Sequence, residues 1–438
     1  MYDRITKYSF TKKLSLLFIA LCALWQFSPY FSWETYNNGI LNSIAGIGFS
    51  MIFAIFAIIT LVITTPIIKL PLEKKGLFLL GFTTLIFLLG ICGLDFKSFF
   101  SFGIWLSFIL IILLVYQDIE YQKKVFEYFS IIIAILLIPS LLFYVLSILG
   151  IDLHDSIILP SSGIKTARGV YYLHFPLAIQ AVYPYEILAN YRFNGIFDEP
   201  GVVGTITALL LAGNKFQLKR KWYNIIFLIT GILSFSVSFY VLIAAYFVVV
   251  NVLKRNVKAA ISLFAVLSVY FIFININFDN NMISMIQERL SFNSSGLAGN
   301  NRTNEAFERL FSEFLHEDMI TVMLGKGHGA IESIVLEQSS KLSAYSNDII
   351  NVSSWKSLIY NYGIMGFTLF LAFIINVARC FLKESNSVEN KIYIFAFTVC
   401  YILNLYQRPS TFHVGYMLIL IGGCAFIALD ERNGERKY

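Results

Sequence analysis

Residues 191–213 read YRFNGIFDEPGVVGTITALLLAG, in which one cation, two carboxylates and two glycines stand directly before an apolar run. The charged residues are Arg192, Asp198 and Glu199. The apolar run, about residues 200–214, is typical of a membrane-spanning helix, and its first residue is a proline, which favours a helix start. The stretch therefore predicts a reactive corner at the mouth of a transmembrane helix.

The composition of the whole chain is that of a polytopic membrane protein. Apolar residues make up 57% of it, charged residues only 14%, and the mean hydropathy is +0.71, far outside the range of soluble proteins. Basic residues precede the first apolar run without a small-residue cleavage site, so we expect that run to stay as a span. The five cysteines lie in or beside apolar runs without close-spaced pairs, which favours neither a metal site nor a disulfide framework.

Apolar runs long enough to cross roughly 30 Å of hydrocarbon recur along the chain. They predict an all-α polytopic membrane protein of about 12 transmembrane helices that forms a single transmembrane domain over residues 1–438. The turn at Ser234–Ser238, which separates the seventh run from the eighth, decides whether the count is twelve or eleven. The runs lie at about residues 14–31, 40–68, 77–94, 98–116, 126–150, 200–214, 222–236, 238–253, 259–276, 356–378, 392–407 and 410–429.

The distribution of basic residues favours the count of twelve. With twelve spans, most of the 33 lysines and arginines fall in loops on the side of the N-terminus, as the positive-inside rule requires. Eleven spans would place Lys254, Arg255 and Arg379 outside. We therefore expect both termini in the cytoplasm and two large outward loops, residues 151–199 and 277–355. The net charge of +6 then reflects the basic residues of the cytoplasmic loops. A nucleic-acid partner is therefore not expected.

Ionisable side chains are nearly absent from the depth of the predicted spans. Ion-coupled transporters usually keep such groups near the bilayer midplane, so the distribution argues against a transporter and places the ionisable chemistry at the outer surface. The second outward loop has more acidic than basic residues. Because its field would not attract anions, we expect an anionic ligand to be held by particular arginines.

Two motifs resemble a known family. Bacterial Wzy-type polysaccharide polymerases, whose relatives are the O-antigen ligases, share a sequence pattern. It consists of an arginine, two residues of any type, a glycine, any residue, a phenylalanine, any residue, a glutamate and a proline. This chain has Arg192, Gly195, Phe197, Glu199 and Pro200 at those positions. A second set is similar to the late outer loop of both groups: Arg302 opening an amphipathic helix to His316, the turn Leu324-Gly325-Lys326-Gly327, the polar segment Ser346-Asn347-Asp348, and Tyr362-Gly363-Ile364-Met365-Gly366. Ligases usually carry a histidine where this chain has Ser346, so the resemblance favours a polymerase.

The resemblance implies a GT-C-type fold and a glycosyltransferase. The sequence shows no cluster of metal ligands, which favours a metal-independent reaction without a cofactor. Its donor and acceptor would be undecaprenyl-diphosphate-linked oligosaccharides, polymerised into O-antigen or a related surface polysaccharide. The enzyme would lie in the bacterial inner membrane among its lipids, with its active site facing the periplasm and a chain-length regulator as a candidate partner. An O-antigen ligase acting on the lipid A core is one alternative, and a flippase or exporter of lipid-linked sugar is another.

Such a transfer needs cations to offset the charge of the departing diphosphate and a base for the attacking hydroxyl. Arg192 and Arg302 are candidates for the first role, since guanidinium groups make paired hydrogen bonds to phosphate. Glu199 is the candidate base, because a carboxylate at the mouth of an apolar span is partly desolvated and its pKa should rise. Candidate substrate contacts are Lys326, His328, Arg408, Asp198 and Arg168.

Each candidate also has a structural interpretation. Arg192 could extend to lipid headgroups, and either carboxylate could cap the helix that begins at Pro200, Asp198 being favoured as the cap. Arg408 and His413 flank the outward end of the last span, where interface anchoring is the favoured role. The remaining outward histidines, His154, His174 and His316, are most simply solvated loop residues.

Overall fold

The chain is described by a computed structural model, and most of the described residues are helical. The structure describes residues 10–27, 30, 49–64, 72–88, 102–151, 153–158, 170–183, 191–256, 272, 275–276, 287, 292–293, 296–297, 305–341 and 354–430.

Apolar helices, four of them long and the others shorter, coincide with most of the predicted spans. Each predicted run overlaps a helix except the ninth, about residues 259–276, nearly all of which lies outside the described residues. The helices are α1 Phe10–Phe27, α2 Phe49–Thr64, α3 Leu72–Leu88, α4 Phe102–Tyr116, α5 Ile119–Ile148, α6 Pro200–Gly213, α7 Trp222–Leu233, α8 Val237–Leu253, α9 Glu305–Leu315, α10 Met319–Leu324, α11 Ala330–Lys341, α12 Trp355–Glu384, α13 Val388–Gln407 and α14 Val414–Ala428.

Four of the described helices, α1, α5, α12 and α13, are long and apolar enough to cross a membrane. The other apolar helices of the described part are shorter. Together they form a helical bundle with the composition of a membrane-embedded protein.

Helices α6 and α14 form the centre of the bundle. All residues of α6 are buried, and so are Val414 to Ile427 of α14. The two backbones approach closely at Gly213 and Gly423, where a Cβ atom added to Gly213 would lie 3.3 Å from the Cα atom of Gly423. Small residues permit such contacts between helices in a lipid environment, where close packing has to supply the stabilisation.

The predicted turn between the seventh and eighth runs is confirmed. Helix α7 ends at Leu233, and α8 begins at Val237. Between them Phe235 has a φ of 45°, a left-handed conformation that ends a helix. The turn packs against Gly204 of α6, since a Cβ atom on Gly204 would lie 2.4 Å from that of Ser236.

Ion pairs cluster at one end of the bundle. Lys215 pairs with Asp430 at 2.9 Å and Lys221 with Glu127 at 2.8 Å. Additional pairs there are Lys12 with Asp118 and Lys254 with Glu389. We call this end the lysine end.

The opposite end carries Glu199 and Arg408, because α6 runs from Glu199 toward Lys215 and α13 runs from Glu389 toward Arg408. We call it the glutamate end. At about 1.5 Å per residue, α6 rises about 21 Å and α13 about 30 Å. The slab between the two ends is therefore close to the roughly 30 Å of a hydrocarbon core, and its described helices carry no charged side chain at mid-depth.

A small antiparallel sheet corrects the all-α expectation. Its strands are β1 Ser156–Ile158, β2 Tyr171–Phe175 and β3 Ala178–Val182, in the order β1-β2-β3. They lie within residues 151–199, the segment predicted to be the first outward loop. Tyr172 and His174 of β2 are both buried, whereas Tyr171 and Leu173 are partly exposed, so alternate side chains of this strand face the bundle. A two-stranded ladder, β4 Phe292–Asn293 with β5 Gly296–Leu297, lies in the segment predicted to be the second outward loop, residues 277–355.

The amphipathic helix predicted in the second outward loop is confirmed as α9. Phe307, Phe311 and Phe314 are buried and form a small core with Ile331 and Tyr360, so the apolar stripe packs on protein. Leu315, which helical spacing also predicts on the apolar face, is 47% exposed.

Candidate functional site

The segment that leads into α6 is anchored by its apolar residues. Phe193, Ile196 and Phe197 are almost completely buried, and Gly195, with a φ of 63°, accepts a 2.7 Å hydrogen bond from the backbone N–H of Ile179 in β3. A positive φ favours glycine, and a Cβ atom here would also meet Leu137 at 2.9 Å. The anchored backbone fixes the positions of the charged residues on either side.

Glu199 is the residue that caps α6, and its side chain points away from the helix. The φ and ψ angles of Glu199 are −142° and 140°, and its carboxylate accepts no capping hydrogen bond. The preference for Asp198 as the cap was therefore wrong; the backbone oxygen of Asp198 accepts a hydrogen bond from the Tyr172 hydroxyl at 3.3 Å. The Glu199 carboxylate instead lies 2.7 Å from the guanidinium of Arg408.

This Glu199–Arg408 pair joins segments that are 209 residues apart. Both side chains are largely shielded, with 28% of Glu199 and 17% of Arg408 exposed. Burial lowers the pKa of Arg408, but the Glu199 carboxylate, Tyr416 and Asp198 together outweigh burial, and the pKa is raised. The guanidinium is thus always charged. The raised pKa that the sequence leads us to expect for Glu199 stays a prediction.

Arg408 keeps unused hydrogen-bonding capacity. Its Nη2 atom donates a hydrogen bond to the Glu199 carboxylate. Its Nε atom is buried and has no partner among the residues that the structure describes. Buried donors without partners are rare in native proteins and call for an explanation. A bound anion would supply the missing acceptor.

Arg192 is fixed on the other side of the α6 entry. Its Nε atom donates to the backbone oxygen of Ser234 at 3.0 Å, and the N–H of Phe193 donates to the oxygen of Leu233 at 3.0 Å. The C-terminus of α7 therefore positions this guanidinium through its Nε edge.

The glycine turn of the second motif is docked on a break in α12. Gly363 interrupts that helix with a φ of 69°, and a Cβ atom there would lie 2.1 Å from the backbone oxygen of Met323. The N–H groups of Lys326 and Gly327 donate to the oxygens of Tyr360 and Asn361 at 2.9 and 2.8 Å. The two glycine motifs of the sequence therefore meet each other, and this backbone contact accounts for their glycines.

The side chains of that turn have protein partners. Lys326 pairs with Glu317 at 2.5 Å, and His328 Nδ1 lies 2.7 Å from the hydroxyl of Tyr362. The structure thus gives both predicted substrate contacts a local structural role. Whether a ligand also reaches them stays a prediction.

A cavity of about 480 Å³ opens at the glutamate end between α1, α2, α4 and the loop that joins α13 to α14. A volume of this size is typical of small-molecule sites. The loop contributes Ser410 to His413, directly after Arg408, and α1 contributes Gln26.

His413 lies in the wall of this cavity and is neutral. Burial lowers the pKa of His413 to about 4. Its Nε2 atom lies 3.3 Å from the backbone oxygen of Gln26; since a carbonyl oxygen only accepts, the hydrogen of the neutral ring is assigned to Nε2. Nδ1 is then an acceptor, and it is buried without a partner in the part of the chain that the structure describes. The ring also packs 4.7 Å from that of Phe27.

His174, expected to be a solvated loop histidine, is buried. Only 7% of it is exposed, its ring stacks on Tyr30 at 5.0 Å, and its Nδ1 atom lies 2.6 Å from Asp155. Its Nε2 atom has no partner among the described residues. Sequence reasoning missed this dyad because the strand pairing that creates it joins distant segments; the alternation of Tyr172 and His174 in YYLHF was the available signal.

Some predicted site residues lie outside the described residues: Arg302, Arg168 and the segment Ser346-Asn347-Asp348. Among the residues that are described, no three His, Cys, Asp or Glu side chains form a group that could hold a metal ion.

No protein-family model matches this chain, and no curated protein or solved structure matches it either.

Proposed function

We propose that the chain is a membrane glycosyltransferase that moves a glycan from a lipid diphosphate to a sugar hydroxyl at the outer face of the bacterial inner membrane. The observation that carries the proposal is the Glu199–Arg408 pair, which borders an uncharged slab and lies beside a cavity of about 480 Å³. A lipid-borne anion would meet a shielded cation at this place. The proposal includes about twelve spans of a GT-C-type architecture, with both termini and the lysine end in the cytoplasm and the glutamate end facing the periplasm.

In the proposed reaction, arginine cations stabilise the leaving diphosphate and a carboxylate acts as the base. A hydroxyl oxygen of the acceptor sugar attacks the anomeric carbon of the donor, and the bond from that carbon to the diphosphate oxygen breaks. The diphosphate leaves with the bonding electron pair, and Arg408 and Arg192 offset its charge. Glu199 takes the proton of the attacking hydroxyl. Charge-assisted hydrogen bonds of this kind are worth about 1.5 to 3 kcal/mol each. By the resemblance to the Wzy-type polymerases, Arg302 is a third cation.

The ion pair gives the site a resting state. Without substrate, Arg408 occupies the carboxylate that would act as base. A diphosphate that binds Arg408 offers its guanidinium more acceptor oxygens than one carboxylate does, including one for the buried Nε atom. Glu199 is then released from the pair at the moment when a base is needed, and so arrival of the donor would prepare proton transfer.

Two other functions fit the composition less well. An exporter of lipid-linked sugar would need a polar path through the bundle, and the described helices carry no charged side chain at mid-depth. A ligase would share the chemistry and use a different acceptor. The polymerase is favoured by the first motif, whose Glu199 and Pro200 match its pattern, so the proposed substrate is an undecaprenyl-diphosphate-linked oligosaccharide repeat.

The test is incubation of the purified protein with the lipid-linked repeat that its host accumulates when this protein is removed. The wild type should produce a ladder of lengthened glycans. Glu199→Gln, Arg192→Ala and Arg408→Ala should remain folded and give no ladder, because each removes a group from the reaction. Arg309→Ala, at an exposed arginine of α9, is the matched control and should behave as the wild type. Normal glycan ladders from all three site variants would refute the proposal.

A further inference from the structure

The cavity at the glutamate end has a lining of unusual composition for an apolar bundle. Hydroxyl, amide and imidazole side chains converge on it from three helices and one loop, beside apolar residues such as Met51, Leu106 and Phe412. Among the described residues that line it, none is an aspartate, glutamate, lysine or arginine. The polar set is Gln26, Ser50, Ser107, Ser410, Thr411 and His413.

This chemistry excludes two parts of a lipid-linked glycan. A diphosphate would need a cation, and the described part of the lining offers none. An isoprenoid tail would leave the polar side chains facing hydrocarbon, which costs free energy for each unpaired group. A sugar ring suits the cavity, because its hydroxyls can pair with the polar wall while its C–H faces pack on the apolar wall.

The polar wall is held in place by its own hydrogen bonds. Gln26 donates through Nε2 to the hydroxyl of Ser107 at 3.3 Å and accepts through Oε1 from the N–H of Val414 at 2.9 Å. The backbone oxygen of Gln26 fixes His413, whose Nδ1 atom is left as a buried acceptor. An acceptor of this kind is matched by the O–H of a sugar.

We infer that this cavity binds the uncharged terminal sugar of the acceptor glycan, with His413 Nδ1 accepting a hydrogen bond from one of its hydroxyls. The inference rests on the proposed function for the identity of that glycan. Ser410 follows Arg408 by two residues, so a sugar in the cavity lies next to the cation assigned to the diphosphate. Acceptor and donor would thus meet at the Glu199–Arg408 pair.

The experiment measures binding without requiring turnover. Ser50→Cys and Thr411→Cys place thiols in the cavity wall, and Ser333→Cys places one on the exposed surface of α11. The purified full-length protein is labelled with a methanethiosulfonate reagent, and each site is followed by mass spectrometry. The probe is the free oligosaccharide released by mild acid from the lipid-linked repeat of the host; polyprenyl phosphate is the comparison ligand.

The free oligosaccharide should slow labelling at both cavity sites at least about fivefold and leave Ser333→Cys unchanged. Protection by polyprenyl phosphate alone would overturn the inference, because the cavity would then hold lipid. Equal labelling with and without the oligosaccharide would overturn it too, as would thiols that never react, since a closed cavity admits no sugar. A wild type that makes glycan ladders without such protection would refute only the inference, and protection without ladders would refute only the proposed function.

Substitutions at His413 test the hydrogen bond itself. His413→Phe keeps an aromatic ring beside Phe27 and removes the acceptor, so the oligosaccharide concentration for half protection should rise about tenfold, the equivalent of one hydrogen bond. His413→Gln restores an acceptor and should stay within about threefold of the wild type. If both variants protect as well as the wild type, His413 does not contact the sugar.

Discussion

The Glu199–Arg408 pair can be tested for stability and activity separately. Its charge centres are about 4 Å apart, which corresponds to a gross attraction of about 4 kcal/mol at an effective dielectric constant near 20. Loss of hydration of two largely shielded groups offsets part of that attraction. We expect a net coupling of about 1 to 3 kcal/mol in a double-mutant cycle of Glu199→Gln and Arg408→Gln.

Because Glu199 and Arg408 are largely shielded from solvent, the single and double variants should differ in their free energies of unfolding. Glu199→Gln leaves a shielded guanidinium whose Nε atom already has no described partner, so it should destabilise the fold by about 3 kcal/mol. The double variant should be less destabilised than the sum of the two single variants. The assay is the free energy of unfolding in mixed detergent micelles, measured beside glycan-ladder formation. Lys356–Glu308, at 2.6 Å and with 28% and 42% of the side chains exposed, is the control pair and should couple by less than about 1 kcal/mol without affecting activity.

Reversal of the pair separates packing from chemistry. Glu199→Arg combined with Arg408→Glu retains one cation and one carboxylate in contact, so most of the coupling energy should return. Activity should not return, because the cation and the base have exchanged places relative to the donor. Full activity in the reversed variant would refute the assigned roles, and a coupling energy near zero would refute the electrostatic reasoning.

Two further predictions concern other contacts of the glutamate end. Gly363→Ala should detach the glycine turn from α12, because its Cβ atom would lie 2.1 Å from the oxygen of Met323; faster hydrogen exchange at the N–H groups of Lys326 and Gly327 would show it, and Gly76→Ala, which meets nothing within 4 Å, is the control. Burial raises the pKa of Asp155, but the hydrogen bond and charge of His174 outweigh it and the pKa is lowered. The stabilisation is therefore present above the ordinary carboxyl pKa of about 4 and is lost as the pH falls through the lowered value. Asp155→Asn should abolish this dependence in acid unfolding curves and Ser156→Ala, which keeps the His174 contact, should preserve it; identical curves for wild type and Asp155→Asn would contradict the assignment.

Local patterns were sufficient for much of the architecture. Apolar runs identified the helices, and the serine-rich stretch after Leu233 identified the break between α7 and α8, because helix formation and helix termination depend on neighbouring residues. The clustering of lysines at one end of the bundle followed from the same span count. The stripe of Phe307, Phe311 and Phe314 was readable from helical spacing, whereas the exposure of Leu315 depends on where the partner surface ends.

By itself, the sequence determined a helical membrane protein whose apolar runs carry no charge at mid-depth, and it identified Glu199 as a candidate site residue. The tertiary structure alone decided that Arg408 is the partner of Glu199, that Gly325 meets Gly363, and that His174 is buried against Tyr30. Each of these contacts joins segments distant in the chain, and it depends on how helices rotate and shift against one another. The packing of many side chains between helices fixes these rotations and shifts. A short motif includes only a few of those side chains, so it does not predict the contacts.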